Sequence, residues 1–195
     1  MSHIKKTSLF IISGPSGVGQ DSVIEGLGKI MPIERVVTTS TRPKRAGESN
    51  GHPYYFIDKE EFLRQIKENN FFEYADEYNH NLYGVTREEI ARARKSDKVV
   101  IWKMEYKGVI TAKKLIPDVI AILITAPLAV VEKRLRARDK GASEEYMRER
   151  MEYSREWMKH KNIYDYEVDN RDGQLEAAIK KVVNIIKVHK KFQLK

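Results

Sequence analysis

The sequence predicts an α/β protein: a doubly wound parallel sheet flanked by helices, with a small α+β lobe inserted into it. Two observations carry that prediction. Short apolar runs alternate with helix-length amphipathic patterns over most of the chain, the order that builds a parallel sheet with crossover helices. The stretch from residue 32 to 98 breaks the alternation with several shorter strand-like pieces.

The first strand is LFIIS, residues 9–13, which runs straight into a glycine-rich turn. A helix follows over 22–30, where Val23, Ile24, Leu27 and Ile30 share one face. The inserted stretch has strand-like pieces at 36–41 and 54–57, and two more around Phe71-Phe72-Glu73-Tyr74 and Asn81-Leu82-Tyr83-Gly84. Asp58 with Glu61, and Thr86 with Glu89, each place an acid three residues after a capping side chain, which marks a helix start. The core resumes with a strand over 99–104. VIAILIT, residues 119–125, is almost continuously apolar, as a strand buried on both faces must be. Helical patterns over 128–138, 144–160 and 174–190, and a short strand over 166–168, complete the series. The reading is one domain, residues 1–195, with its core in 1–31 and 99–195 and the inserted lobe in 32–98.

At 195 residues, 41% hydrophobic and 33% charged, the chain has the composition of an ordinary globular domain. It contains no cysteine, which excludes disulfides and thiolate metal sites. No apolar run reaches the roughly 18 residues of a membrane span. The basic start before LFIIS imitates a secretory leader, but its apolar part is too short, so the expected location is the cytoplasm. The net charge of +8 points to anionic partners. Lys and Arg are spread along the chain and mixed with Glu, which favours small phosphorylated ligands over nucleic acid.

The turn Gly14-Pro15-Ser16-Gly17-Val18-Gly19 sits between a strand and a helix, where backbone N–H groups can cradle a phosphate. It fits the phosphate-loop pattern G-x-x-x-x-G-K-[ST] except at its end. Gln20 stands where the lysine belongs and Asp21 where the metal-binding hydroxyl belongs, followed by Ser22. Lys103 lies inside the otherwise apolar strand over 99–104, where this class of fold ordinarily carries an acid facing the metal, and Glu105 follows two residues later on the same face. The loop has thus lost a lysine and gained an acid, while the strand has done the reverse. The expectation is an exchange of roles: Lys103 neutralises phosphate and Asp21 serves the metal.

Four further segments bear on function: TTSTRPKRAGESNGHPYYF from Thr38 to Phe56, FFEYA around Glu73, NLYG around Tyr83, and EKRLRARD around Arg134 and Arg138. With the loop, they make the chain resemble the guanylate kinase family over nearly its whole length. The resemblance implies that Arg42, Arg45, Tyr54 and Tyr83 hold the phosphate of GMP, and that Thr38, Glu73 and Glu105 face its guanine. The family has a hydroxyl residue after the glycine of NLYG, where this chain has Val85 and then Thr86. Arg134, Arg138 and Arg150 match arginines of a helical lid, about residues 134–155, that closes over the ATP phosphates; Asn170 matches a position near adenine.

The resemblance further implies transfer of the ATP γ-phosphoryl group to GMP with Mg²⁺, ATP and GMP being the partners. Two other readings fit parts of the sequence. A guanylate-kinase-like binding module would explain the missing loop lysine, and a kinase acting on a ribose phosphate would explain the Asp-Ser after it. The sequence leaves the choice between monomer and homodimer open.

Overall fold

The computed structural model describes residues 9–76 and 80–193, so the basic start of the chain lies outside the described residues. The first half contains β1 (Leu9–Ser13), α1 (Gln20–Ile30), β2 (Ile33–Val36), β3 (Thr38–Ser40), β4 (Tyr54–Phe56), α2 (Lys59–Lys67), β5 (Phe71–Asp76) and β6 (Leu82–Thr86). The second contains α3 (Arg87–Arg94), β7 (Val99–Lys103), α4 (Tyr106–Leu115), β8 (Ile120–Thr125), α5 (Leu128–Arg138), α6 (Glu144–Lys159), β9 (Tyr166–Asp169) and α7 (Leu175–Gln193).

Five strands form the main sheet in the order β2-β7-β1-β8-β9, every neighbouring pair parallel. The chain leaves β1 toward one edge, returns through β7, and then crosses to β8 and β9. Winding therefore reverses at β1, and ligands of open α/β sheets bind beyond the strand ends at such a switch point. Alternation along the strands builds a core on each face. Phe10, Ile12, Val99, Ile101, Ile122 and Ile124 pack with α1, α5, α6 and α7. Leu9, Ile11, Val100, Trp102 and Ala121 pack on the other side with α3 and α4. Lys103 follows Val99 and Ile101 by even steps, so the end of β7 points its side chain toward the α1 face.

The lobe is a four-stranded sheet in the order β4-β3-β6-β5. Its small core rests on Phe62 of α2 stacked on Phe71 of β5, ring centroids 4.2 Å apart. The strand-like piece at 36–41 proves to be the junction of two strands in two sheets. Ile33–Val36 pairs with β7 in the main sheet, and Thr38–Ser40 belongs to the lobe. The inserted segment therefore begins after Val36 rather than at residue 32. Glu89, buried in α3, fixes the crossing point by accepting a hydrogen bond from the Val37 N–H at 2.7 Å.

Two elements were not legible beforehand. Three of the four β2 residues are only half-buried, because the strand lies at the sheet edge and lacks an apolar run. α4 contains Gly108 and the β-branched Val109, Ile110 and Thr111, which are poor helix formers. Burial of Val109 and Ala112 against the sheet overrides that weak propensity. Among the described residues no helix is long and apolar enough to cross a membrane.

Candidate active site

The turn between β1 and α1 is pressed against the end of β8. A Cβ on Gly14 would lie 2.4 Å from the Ile124 carbonyl oxygen, a backbone atom that cannot step aside. Gly19, the residue before α1, has φ +87°, and a Cβ there would meet Asn170 Nδ2 at 2.5 Å. Close approach at one end and a left-handed backbone at the other thus require glycine. Gly14, Ser16, Gly17, Gly19, Gln20, Asp21 and Ser22 line a cavity of about 610 Å³. Pro15 is buried, and Val18 points into the core below. Gly14→Ala is expected to displace the loop at a cost of about 1–3 kcal/mol, as overpacking does. ADP affinity measured by calorimetry should then fall roughly tenfold or more.

Gln20 does not reach into the cavity as a lysine would. Its Nε2 turns back and donates to the Gly14 carbonyl at 2.7 Å, leaving Oε1 buried without a partner. The cation comes from the neighbouring strand. Lys103 Nζ donates to both carboxylate oxygens of Asp21, at 2.9 and 2.8 Å. Burial works to neutralise this ammonium, but Tyr54 and Asp21 prevail and hold its pKa above the usual lysine value. Arg35 of β2, absent from the sequence reading, places Nη2 3.7 Å from the same carboxylate.

Across the cavity stand Thr38, Arg42, Arg45, Tyr54, Glu73, Tyr83 and Glu105. Arg42 donates to Glu48 at 2.8 Å and lies over the rings of Tyr54 and Phe56, 5.4 Å from each centroid. Glu48 also accepts from the Arg45 N–H, so one acid orders both arginine positions. Tyr54 and Tyr83 meet edge to face, 5.9 Å between centroids. Glu73 sits deeper; burial, and next the Glu105 carboxylate, push its carboxyl up to about 7. Glu105 precedes α4 and accepts a hydrogen bond from Tyr153 on α6. Val85 is fully buried, and the Thr86 hydroxyl caps α3 by accepting from the Glu89 N–H. Neither lines the cavity, so the hydroxyl position of the family's motif has no substitute there.

The arginines of α5 reach the phosphate loop. Arg134 donates to the Val18 carbonyl at 3.3 Å, and Arg138 to the Ser16 hydroxyl at 3.1 Å. One helical turn apart, they share a face. Arg150 of α6 joins them on the cavity wall. Asn170 braces the loop from behind, donating to the Val18 carbonyl at 2.7 Å. Glu48 and Tyr153 also line the cavity and escaped sequence reading because only the folded chain sets them against Arg42 and Glu105.

Mg²⁺ takes oxygen ligands and commonly needs only one or two carboxylates beside substrate phosphates and water. Asp21, half-exposed on the cavity wall, meets that need.

A parallel sheet with a phosphate loop at its switch point, an inserted lobe rich in arginine and tyrosine, and arginines reaching over the loop define a P-loop kinase of small phosphorylated acceptors. The guanylate kinase family profile matches residues 6–189. A guanylate kinase of Hydrogenovibrio crunogenus is 38% identical over 84% of this chain and 80% of its own length. That of Shewanella violacea is 37% identical over 92% and 86%. The crystal structure of guanylate kinase from Anaplasma phagocytophilum superposes with a TM-score of 0.73 at 25% identity, covering 98% of this chain and 88% of that one. The chain belongs to the guanylate kinase family.

Proposed function

We propose that this chain transfers the γ-phosphoryl group of ATP to GMP, giving ADP and GDP, as a cytoplasmic enzyme of purine nucleotide metabolism. One observation carries the reading. A single cavity joins a phosphate loop to a set of residues suited to a nucleoside monophosphate: Arg42, Arg45, Tyr54 and Tyr83 for its phosphate, Glu73 and Glu105 for its base.

Phosphoryl transfer asks little covalent chemistry of a protein; it needs in-line positioning and neutralisation of spreading charge. The loop holds the donor phosphates, and Arg42 and Arg45 aim an oxygen of the GMP phosphate at the γ-phosphorus. The bond from that phosphorus to the ADP oxygen breaks as the bond to the GMP oxygen forms. Lys103 takes the place of the loop lysine beside the transferring group. Asp21 would hold Mg²⁺, which when bound neutralises charge on the β- and γ-phosphates. Arg134, Arg138 and Arg150 cover the donor side, and their closure excludes the water that would otherwise hydrolyse ATP.

The test is ADP formation with GMP, AMP, dGMP and ribose phosphates as acceptors. GMP is expected to support turnover far better than AMP or a ribose phosphate. Binding of GMP without turnover would mark a binding module instead, and a preference for ribose phosphates would overturn the acceptor assignment.

A further inference from the structure

We propose that Arg35 is a further catalytic residue of this site, forming with Lys103 a two-cation cluster on Asp21 that binds the phosphoryl group in transit. The cluster follows from strand register. Arg35 of β2 pairs with Ile101 of β7, and Lys103 lies two residues beyond Ile101 on the same face. That face carries α1, whose first turn contains Asp21. Both cations therefore converge on one carboxylate, Lys103 through two hydrogen bonds and Arg35 from 3.7 Å.

Charge and placement both fit a phosphate site. Two cations and one carboxylate sum to +1, the charge one loop lysine would bring, while Gln20 is neutral and turned onto its own loop. Arg35 and Lys103 line the same cavity as the phosphate loop and as Arg42, Arg45 and Tyr54 of the lobe, so the cluster faces the space in which both substrates would meet.

Arg35 is anchored at its root and open at its tip. Arg92 donates to the Arg35 carbonyl at 2.9 Å and is itself held by Glu34 and Glu89. The Arg35 guanidinium makes no side-chain hydrogen bond among the described residues, and 3.7 Å exceeds hydrogen-bond reach. Paired this loosely with Asp21 and 39% exposed, it gains little as a stabilising ion pair. Its planar fork remains available for two oxygens of a phosphate.

The proposal rests on the kinase reading for turnover but not for binding, so two measurements separate them. Arg35→Met and Arg35→Lys are compared with the parent for GMP phosphorylation, and for affinity toward the β,γ-imido analogue of ATP without added metal. Arg35→Met should lower kcat roughly 10²-fold, as loss of one transition-state donor does. It should also weaken the analogue by about tenfold, while Arg35→Lys keeps most of that affinity through its charge. GMP affinity and melting temperature should stay unchanged. Analogue affinity and kcat both within threefold of the parent would overturn the proposal, leaving Arg35 a bystander of Asp21. A parent that binds the analogue but leaves GMP unphosphorylated would sink the kinase reading while the binding arm still judges Arg35. If Arg35→Met does not fold, Arg35→Gln carries the same comparison.

Discussion

Lys103→Met is expected to lower kcat for GMP phosphorylation by about 10²–10³, or roughly 3–4 kcal/mol of transition-state stabilisation. GMP affinity should change little, because the residues suited to its phosphate and base lie elsewhere on the wall. Methionine matches the lysine stem in length and leaves Asp21 with Arg35 as a neighbour, so the fold should persist. The size of the effect follows from position: a charged ammonium at the end of a buried strand, fixed by a two-point contact on the loop helix, needs no reorganisation when charge develops nearby. Steady-state kinetics with calorimetric GMP titration separates this from a binding defect. A variant retaining more than a tenth of the parent rate would show that the loop works without a relocated lysine.

How far this site could be read from sequence depended on whether each residue announced itself through its own segment. Lys103 stood out as a lone cation closing an otherwise apolar run, and its partner stood out as an acid in a loop that ordinarily has none there. The structure joins them. Arg35 gave no such signal, because its strand is a half-buried edge, Ile-Glu-Arg-Val, with neither an apolar run nor an alternating pattern to mark it. Without that strand in the main sheet, nothing placed Arg35 beside Lys103. Glu48 and Tyr153 were hidden for another reason: both line the cavity and hold Arg42 and Glu105, and such placements depend on tertiary geometry. The same holds for the ionisation of Glu73. Its identity was readable from FFEYA, but its environment is made by α4, the helix the sequence concealed. Gly108 of that helix lies so close that a Cβ there would sit 3.3 Å from Glu73 Oε2.

That environment gives the second large effect. Guanine presents two neighbouring donors, its ring N–H and exocyclic amine, and a carboxylate at Glu73 can accept from both. Glu73→Gln would set an amide N–H₂ against one of them, leaving donors opposed in a dry pocket. An orphaned buried group costs about 1–3 kcal/mol, and more when a charged partner is lost. Sites built on such contacts reject a mismatched partner by as much as about 10⁴–10⁵. A fall of roughly 10³-fold in kcat/KM for GMP is the expected result, with the ATP side untouched.

The pH dependence supplies the sharper test. With its carboxyl pushed up to about 7 in the free protein, Glu73 is largely protonated in mild acid. The KM for GMP should rise about tenfold per pH unit below 7 and level off above about 8, where the carboxylate prevails. Stability moves the opposite way. A carboxyl raised from 4.5 in the unfolded chain favours folding in its neutral form. Its contribution is complete below that value and lost as pH rises through about 7. Ligand-free protein should thus lose this increment of stability over the range in which GMP affinity is gained. A protonated Glu73 also presents a donor, which the N1 acceptor of adenine can take where the carboxylate would oppose it, so discrimination against AMP should narrow in acid. Glu73→Gln, which cannot titrate, should show neither the inflection near 7 in GMP affinity nor the opposing change in melting temperature. If both persisted in that variant, Glu73 would not be the titrating group.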